Sequence, residues 1–177
     1  MNRLRELLAA DGLIVAPGVY DGISAALVAK LGFTAAYMTG AGVSASFGLP
    51  DIGLVTLTEM VGRARALSSQ LEIPLLADAD TGYGSPINVI RTVREYEAAG
   101  VAAIQLEDQT FPKRCGHLAG KEVISADQFA LSLRAAVDAR EEMLIVARTD
   151  SRAPLGLEEA IARANRYASI GADVIFV

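Results

Sequence analysis

Carboxylates stand at the ends of apolar segments of this 177-residue chain, where they can bind a cation or move protons. The segment LLADADTGYG places Asp78 and Asp80 two residues apart, on one face of a strand, and the segment AIQLED contains Glu107. Neighbouring carboxylates repel each other unless a cation, a proton or an arginine lies between them. Oxygen ligands without histidine suit a hard cation. The pattern therefore predicts Mg²⁺, with Mn²⁺ as an alternative, held by Asp78, Asp80, Glu107 and a loop residue, Asp51.

A second interpretation of the same carboxylates needs no metal. Asp80 would cap the turn that follows it, and Asp78 would pair with Arg148. The third carboxylate, Glu107, and the absence of a basic residue among the three favour the metal. Arg148 ends another apolar segment, and a guanidinium at a strand end suits bidentate recognition of a carboxylate or phosphate.

The stretch QTFPKRCGHLAG holds the chain's one cysteine, Cys115, and its one histidine, His117. Lys113 and Arg114 precede the cysteine, and nearby positive charge makes a thiol more reactive. The flanking glycines would allow this loop to move. An inert, buried cysteine is the alternative, although the polar flanks weaken it. A nucleophile and base pair with His117 is weakly indicated, and one cysteine with one histidine cannot fill a zinc site.

The segment YMTGAGVSASFG matches a G-x-G-x-x-A dinucleotide pattern. We reject that function because Gly48 and Pro50 leave no clear helix after it, and no acidic strand end follows about 20 residues later. Thr39, Gly40 and Ala41 are instead predicted to form a turn whose backbone N–H groups face an anion.

Short apolar segments alternate with helical patterns along the whole chain, which predicts an α/β fold with a parallel sheet. Helix starts are indicated at Asp21, at Ser85-Pro86 and at the capping box of Ser125 and Gln128. The expected strands lie at 13–19, 35–40, 74–80, 103–108, 144–150 and 173–177.

Two architectures fit six such strands. Length favours a doubly wound open sheet, because an eight-stranded TIM-type barrel needs about 250 residues. Polar residues at the ends of four different strands favour the barrel, which is the architecture that we predict. We expect residues 1–177 to be a single domain, the N-terminal portion of a parallel (β/α)8 barrel truncated after its sixth strand.

Composition excludes several classes of function. The formal net charge of −5 argues against a general nucleic-acid binder, and no apolar run approaches the roughly 18 residues of a membrane span. The N-terminal MNRLRELLAADG lacks the apolar stretch of a signal peptide. A single cysteine cannot form an internal disulfide, so we expect a cytoplasmic protein.

The motifs ADADTGYG, IQLEDQTFPKRCGH, VARTDSR and APGVYDGISA resemble the isocitrate lyase and phosphoenolpyruvate mutase superfamily. KRCGH is similar to its lyase branch, which includes 2-methylisocitrate and 2,3-dimethylmalate lyases. The resemblance covers nearly the whole chain. It implies a barrel with Mg²⁺ at its C-terminal mouth, surrounded by Asp51, Asp78, Asp80 and Glu107, some acting through water.

The resemblance also assigns substrate roles. It implies that Tyr37, Thr39, Gly40 and Ala41 bind the carboxylate of a 2-oxo acid, and that Arg148, Gly116 and His117 contact the substrate. Cys115 matches the catalytic cysteine of a closing loop, and Tyr37 is one candidate for the base that deprotonates the substrate hydroxyl. Further substrate residues are expected beyond the sixth strand.

The expected function is Mg²⁺-dependent carbon–carbon cleavage of a small anionic 2-hydroxy di- or tricarboxylate, with Cys115 as the proton donor. A homotetramer is implied by the resemblance. A phosphonomutase or oxaloacetate-cleaving relative on the same scaffold is one alternative. A non-catalytic, truncated barrel is the other.

Overall fold

The computed structural model describes residues 2–116 and 118–177, whose strands form one fully parallel sheet. The strands are β1 (Gly18–Val19), β2 (Ala36–Met38), β3 (Leu75–Asp78), β4 (Ala103–Glu107), β5 (Leu144–Arg148) and β6 (Val174–Phe176). The helices are α1 (Arg3–Ala9), α2 (Gly22–Lys30), α3 (Gly40–Ser46), α4 (Leu57–Ser68), α5 (Pro86–Ala98), α6 (Ala126–Ala139), α7 (Arg152–Leu155) and α8 (Leu157–Ile170). The predicted α/β class and strands at all six expected segments are thus confirmed.

The order of the strands distinguishes the two predicted architectures. They follow one another as β1-β2-β3-β4-β5-β6, without the reversal of order that a doubly wound sheet requires. The chain therefore winds in one direction, as in a barrel. Within the described residues, β1 and β6 are the two edges of this sheet.

The two faces of the sheet have different partners, which also favours the barrel. Alternate residues such as Leu75, Ile104 and Ile145 pack outward into one large core with helices α2, α4, α5, α6 and α8. The residues between them, including Ala103 and Val146, form a smaller inner cluster with Leu4 of α1. A doubly wound sheet would carry helices on both faces. Here the helices of the large core lie outside and the inner face is left for a site.

Caps begin the helices where the sequence indicates. The Asp21 carboxylate accepts a hydrogen bond from the backbone N–H of Ser24 at 2.8 Å and starts α2. Ser125 and Gln128 form the expected capping box of α6. Helix α4 escaped the sequence interpretation, although Thr56 and Glu59 form a capping box at its start as well.

One expectation about the chain after β2 is wrong. The sequence interpretation allowed no clear helix there, yet the seven-residue α3 follows β2 directly. Thr39 caps it by accepting a hydrogen bond from the N–H of Gly42 at 3.3 Å. The helix ends at Ser46, before Gly48 and Pro50, so these breakers limit its length without preventing it.

No helix in the described part of the chain combines the length and the apolar character that crossing a membrane requires.

Candidate active site

The predicted site residues at the ends of the strands lie together on the inner face of the sheet. Asp78, Glu107 and Arg148 are the last residues of β3, β4 and β5. They line a cavity of about 780 Å³. The predicted site residues that also line it are Tyr37, Thr39, Ala41, Asp51, Cys115 and Gly116. Gly40 and Asp80 contact this group through Asp78, while His117 lies outside the described residues.

Asp78 is held in place by backbone donors. Its Oδ2 accepts a hydrogen bond from Gly40 N at 3.3 Å, and its Oδ1 accepts one from Asp80 N at 3.0 Å. A Cβ atom at Gly40 would lie 2.7 Å from Asp78 Oδ2, so only glycine allows this approach. The buried Tyr96 of α5 donates its hydroxyl to the backbone oxygen of Asp78 at 2.9 Å, which fixes the end of β3.

Asp80 adopts a backbone φ of 47°, in the left-handed region that residues other than glycine rarely occupy. Aspartate tolerates that region better than most side chains, and strained backbone of this kind is concentrated at functional sites. The sequence placed Asp80 on the strand beside Asp78. The structure instead ends β3 at Asp78 and turns the chain at Asp80, so its carboxylate reaches Lys113.

Lys113 lies among the carboxylates, against the expectation that no basic residue does. Its ammonium group is buried, lies 2.7 Å from Asp80 Oδ1 and forms an ion pair with Asp51. Burial alone would lower the pKa of Lys113, but the charges of Asp80 and Asp78 and the hydrogen bond to Asp51 together raise it above its usual value. Burial, followed by the Asp78 charge, raises the pKa of Asp80 to about 6, although Lys113 opposes this change.

The charge of Glu107 is only loosely compensated in the cavity. Burial first, and then the charge of Asp78, raise the pKa of Glu107 to about 9, although Arg148 and Lys113 oppose that rise. Arg148 Nη1 lies 3.5 Å from Glu107 Oε2, a loose ion pair. Within the described residues, Glu107 Oε1 is buried without a hydrogen-bond partner. A buried acceptor without a partner needs a ligand or a water molecule.

Arg148 is fixed by a second carboxylate, Asp150. Arg148 Nη2 donates a hydrogen bond to Asp150 Oδ1 at 3.0 Å, and Lys121 Nζ donates to the same oxygen at 2.9 Å. Burial alone would raise the pKa of Asp150, but hydrogen bonds from Arg148, Lys121 and Gln109 together lower it. The sequence interpretation counted Asp150 among the polar residues at strand ends, but it assigned neither Asp150 nor Lys121 a role in the site. Asp150 stands two residues after Arg148, and that spacing was the available signal.

The described residues 109–116 and 118–121 lie between β4 and α6 and bring Cys115 to the cavity, and polar contacts fix both sides of this loop. Gln109 Oε1 accepts a hydrogen bond from Arg114 N at 2.9 Å, and Lys121 Nζ donates to Gly116 O at 2.8 Å. Gly116 packs against Arg148, since a Cβ atom there would lie 2.3 Å from Arg148 Nη2. The half-buried Cys115 forms no disulfide and lines the cavity.

Tyr37 lies at the cavity wall on β2. Burial, followed by the negative charge of Asp78, raises the pKa of Tyr37 well above its usual value. This shift favours the protonated phenol, which suits a hydrogen-bond donor, and the role of Tyr37 as the hydroxyl base stays a prediction.

A divalent cation fits the donor set of this cavity. Within residues 2–116 and 118–177, no three potential ligand side chains already stand close enough together to hold a metal directly. Mg²⁺, however, keeps several water ligands and uses one or two carboxylates. Mg²⁺ prefers oxygen ligands, and the cavity offers them in the unpartnered Oε1 of Glu107 and the oxygens of the neighbouring carboxylates. The charge of Asp78 raises the pKa of both Asp80 and Glu107, and a bound cation would oppose that rise.

Comparison with known proteins supplies the family. Residues 4–177 match the profile of the phosphoenolpyruvate phosphomutase family. The chain belongs to the PEP mutase/isocitrate lyase superfamily. It is 51% identical to 2,3-dimethylmalate lyase of Eubacterium barkeri over 99% of this chain and 62% of that protein. It is 49% identical to 2-methylisocitrate lyase of Aeropyrum pernix over 98% of this chain and 56% of that protein.

Solved structures of the superfamily agree with the fold. The crystal structure of 2,3-dimethylmalate lyase superposes with a TM-score of 0.93 at 48% identity, over 97% of this chain and 59% of that one. An oxaloacetate acetylhydrolase in complex with 3,3-difluorooxalacetate gives a TM-score of 0.94 at 48% identity, over 97% of this chain and 61% of that one. The predicted barrel architecture and family are thus confirmed. The chain spans about three fifths of the length of these relatives.

Proposed function

We propose that the protein carrying this chain is a Mg²⁺-dependent carbon–carbon lyase. It would cleave a 2-hydroxy di- or tricarboxylate into a 2-oxo acid and a second carboxylate. The observation that carries the proposal is the placement of Cys115, a proton donor, at the same cavity as Arg148 and the carboxylates Asp78 and Glu107. The similarity to 2,3-dimethylmalate and 2-methylisocitrate lyases supports the same reaction.

The charges of the cavity support an anionic substrate. Among the described residues, five cationic side chains line it, against four carboxylates that include the proposed metal ligands; the cations are Lys113, Arg114, Lys121, Arg148 and Arg152, and the carboxylates are Asp51, Asp78, Glu107 and Asp150. Arg148 presents the guanidinium suited to bidentate carboxylate binding, and burial strengthens such a contact by excluding water. By family resemblance, the 2-oxo acid carboxylate would be bound beside it by the turn of Thr39, Gly40 and Ala41.

The proposed reaction needs two proton transfers. A base removes the proton of the hydroxyl at C2, the C2–C3 bond breaks, and C2 becomes a carbonyl. C3 keeps the electron pair of that bond and takes the proton of the Cys115 thiol, which must regain it from solvent before the next turnover. The loop carrying Cys115 keeps water away during cleavage and lets the products leave when it opens.

The residues that would hold the metal are Asp78, Asp80, Glu107 and, through water, Asp51. When bound, Mg²⁺ would stabilise the negative charge that develops on the oxygen of the 2-oxo acid. Lys113 competes for oxygens of the same carboxylates. Asp78→Asn should weaken Mg²⁺ binding by at least about tenfold in isothermal titration. Asp138→Asn, on an exposed aspartate of α6, is the control; equal affinities in the two variants would contradict the metal assignment.

Turnover of a substrate panel tests the reaction. The purified protein with Mg²⁺ is given 2,3-dimethylmalate, 2-methylisocitrate, isocitrate and oxaloacetate, and the 2-oxo acid or oxalate released is quantified. We expect turnover of a 2-hydroxy acid, and a loss of at least about 100-fold in Cys115→Ser, because a hydroxyl is a much weaker acid than a thiol. Full activity in Cys115→Ser would contradict the assigned role, and turnover of no hydroxy acid would contradict the proposal.

Oxaloacetate cleavage is the second candidate. It is favoured by the 48% identity to an oxaloacetate acetylhydrolase, a value equal to that for the solved 2,3-dimethylmalate lyase. Release of oxalate from oxaloacetate, without turnover of the hydroxy acids, would select this function. The cytoplasmic location, the tetramer and the assignment of residues 1–177 to one domain of a longer barrel stay predictions.

A further inference from the structure

The inner face of β4 carries a polar residue that neither the sequence interpretation nor the proposed reaction uses. Gln105 lies two residues before Glu107, and strand alternation turns both side chains to the same face. Gln105 is 4% exposed and lines the cavity. In the sheet register Gln105 lies level with Asp78 of β3 and Val146 of β5, and its inner-face neighbour toward the start of β4 is the apolar Ala103. Gln105 therefore lies at the floor of the cavity, beside Asp78 and below Glu107.

The amide of Gln105 is incompletely satisfied. Within the described ranges 2–116 and 118–177, its Nε2 is buried without a hydrogen-bond partner. Gln109 offers the contrast, since it is buried to a similar degree. Gln109 Nε2 donates to Arg114 O and to Asp150 Oδ2, both at 3.0 Å, and so connects the Cys115 loop to the segment that follows β5. A glutamine with a structural role is thus fully bonded here, whereas Gln105 keeps a donor for something else.

The side chains around that donor do not satisfy it. Ala103 and Val146 offer it no side-chain oxygen, Asp78 already accepts backbone hydrogen bonds on both oxygens, and Glu107 Oε1, on the same face, accepts no hydrogen bond from it. A bound ligand in the cavity can supply the acceptor. The last torsion of a glutamine side chain is broad, so a rotation about it turns the N–H groups toward the cavity. A neutral donor also keeps its hydrogen-bonding capacity unchanged across pH, whichever charges surround it.

We propose that Gln105 is a substrate-binding and specificity-determining residue whose Nε2 donates a hydrogen bond to an oxygen of the bound carboxylate anion. The inference rests on the proposed function, and it identifies the Gln105 amide as the group that recognises the innermost part of the bound substrate. A ligand with an oxygen at that depth satisfies the amide, whereas a ligand with a methyl group there leaves it unpaired. Sites built around a buried hydrogen bond discriminate strongly in this way.

Oxalate binding in the presence of saturating Mg²⁺ tests the inference. Oxalate is chosen because the solved phosphonopyruvate hydrolase, 35% identical to this chain, carries oxalate and Mg++. Gln105→Leu keeps the volume and removes the donor, so we expect the oxalate Kd to rise by at least about tenfold, equivalent to about 1.4 kcal/mol. The Kd for Mg²⁺ alone should stay within about twofold, and the exposed Gln70→Leu should change neither constant.

Thermal unfolding separates a binding role from a structural one. Removal of an unpartnered donor should leave the melting temperature of Gln105→Leu unchanged or raised. A lowered melting temperature with an unchanged oxalate Kd would mean that the amide binds an internal water, and would overturn the inference. Should Gln105→Leu not fold, Gln105→Asn withdraws the amide by one methylene, and unchanged oxalate affinity in that variant would equally overturn it.

The inference and the proposed function fail in different ways. Wild-type protein that binds Mg²⁺ and oxalate, together with a Gln105→Leu variant of equal affinity, removes the inference alone. Wild-type protein that binds Mg²⁺ but no oxalate removes the anion site of the proposed function, and the role of Gln105 with it.

Discussion

Asp108 follows Glu107 directly but serves the fold instead of the cavity, and its substitution gives the sharpest test of the structure. The residue is fully buried and has no place in the cavity lining. Its carboxylate accepts hydrogen bonds from Arg163 Nη1 at 2.9 Å and from Tyr167 Oη at 3.0 Å, both on α8. It also accepts one from Thr149 Oγ1 at 2.7 Å and one from Asp150 N at 3.0 Å. One carboxylate therefore ties β4 to α8 and to the end of β5.

Asp108→Asn keeps the shape of the side chain and removes its charge. Arg163 is then left as a buried cation whose remaining charge partner is Glu159, at 2.8 Å. Breaking a buried ion pair by removing one partner costs about 3–5 kcal/mol, because the other charge stays desolvated. The remaining pair with Glu159 places the expected loss near the lower end, about 3 kcal/mol of the free energy of unfolding. That is a large share of a stability of about 5–15 kcal/mol.

Urea unfolding followed by circular dichroism measures this loss. With an m-value of about 2 kcal/mol/M, the midpoint should fall by roughly 1.5 M. Asp127→Asn is the matched control, since Asp127 also pairs with an arginine, Arg166, but both side chains are exposed. It should cost less than about 1 kcal/mol. Adding Arg163→Met to Asp108→Asn should restore part of the loss. A loss below 1 kcal/mol in Asp108→Asn would refute the reasoning.

Two further predictions concern the backbone around the site and the acid stability of the fold. Gly40→Ala places a Cβ atom 2.7 Å from Asp78 Oδ2 and should weaken Mg²⁺ binding in titration by at least about tenfold. The control is Gly62→Ala, in open space on α4, which should raise the free energy of unfolding by about 0.5–1 kcal/mol. Equal Mg²⁺ affinities of the two variants would contradict the contact between residue 40 and Asp78. Burial raises the pKa of Glu97, but hydrogen bonds from the backbone N–H groups of 141–143 outweigh it and lower that pKa overall. The pKa of Glu97 is lower in the folded state than in the unfolded state. The free energy of unfolding of the wild type should therefore exceed that of Glu97→Gln by its full amount above about pH 5, and this difference should shrink as the pH falls through the folded-state pKa. A difference in unfolding midpoint that is constant from pH 7 to acid would contradict this.

Much of the site was predictable because parallel strands end at one edge of a sheet. Asp78, Glu107 and Arg148 were expected at strand ends, and the structure places each as the final residue of its strand. Two of the expected helix caps, at Asp21 and Ser125, were also predictable, because an N-cap residue bonds to a residue three positions later in the sequence. Features set by near neighbours or by the strand period are thus accessible from the sequence alone.

The partners of the loop residues were not predictable in this way. Lys113 was interpreted as a neighbour of the Cys115 thiol, but its ammonium group reaches Asp51, 62 positions earlier in the sequence, and Asp80. Lys121 likewise meets Asp150 across 29 positions. A loop has no period that fixes the direction of its side chains, and a long lysine reaches carboxylates on several elements. Only the folded chain decides which carboxylate a loop lysine meets.

The contrast between Glu107 and Asp108 was, in physical terms, within reach of the sequence. In AIQLED, Ile104 and Leu106 alternate with Gln105 and Glu107, and a strand with two different faces must direct these pairs to opposite sides. Ile104 and Leu106 pack outward against the helices. Asp108 continues their side and therefore needs charged and polar partners on a helix, because an unpaired carboxylate cannot be buried there. Arg163 and Tyr167, four residues apart on one face of α8, supply those partners. The same alternation turns Gln105 toward the cavity, so the period of the strand explains both why Asp108 lies outside the site and why Gln105 lies within it.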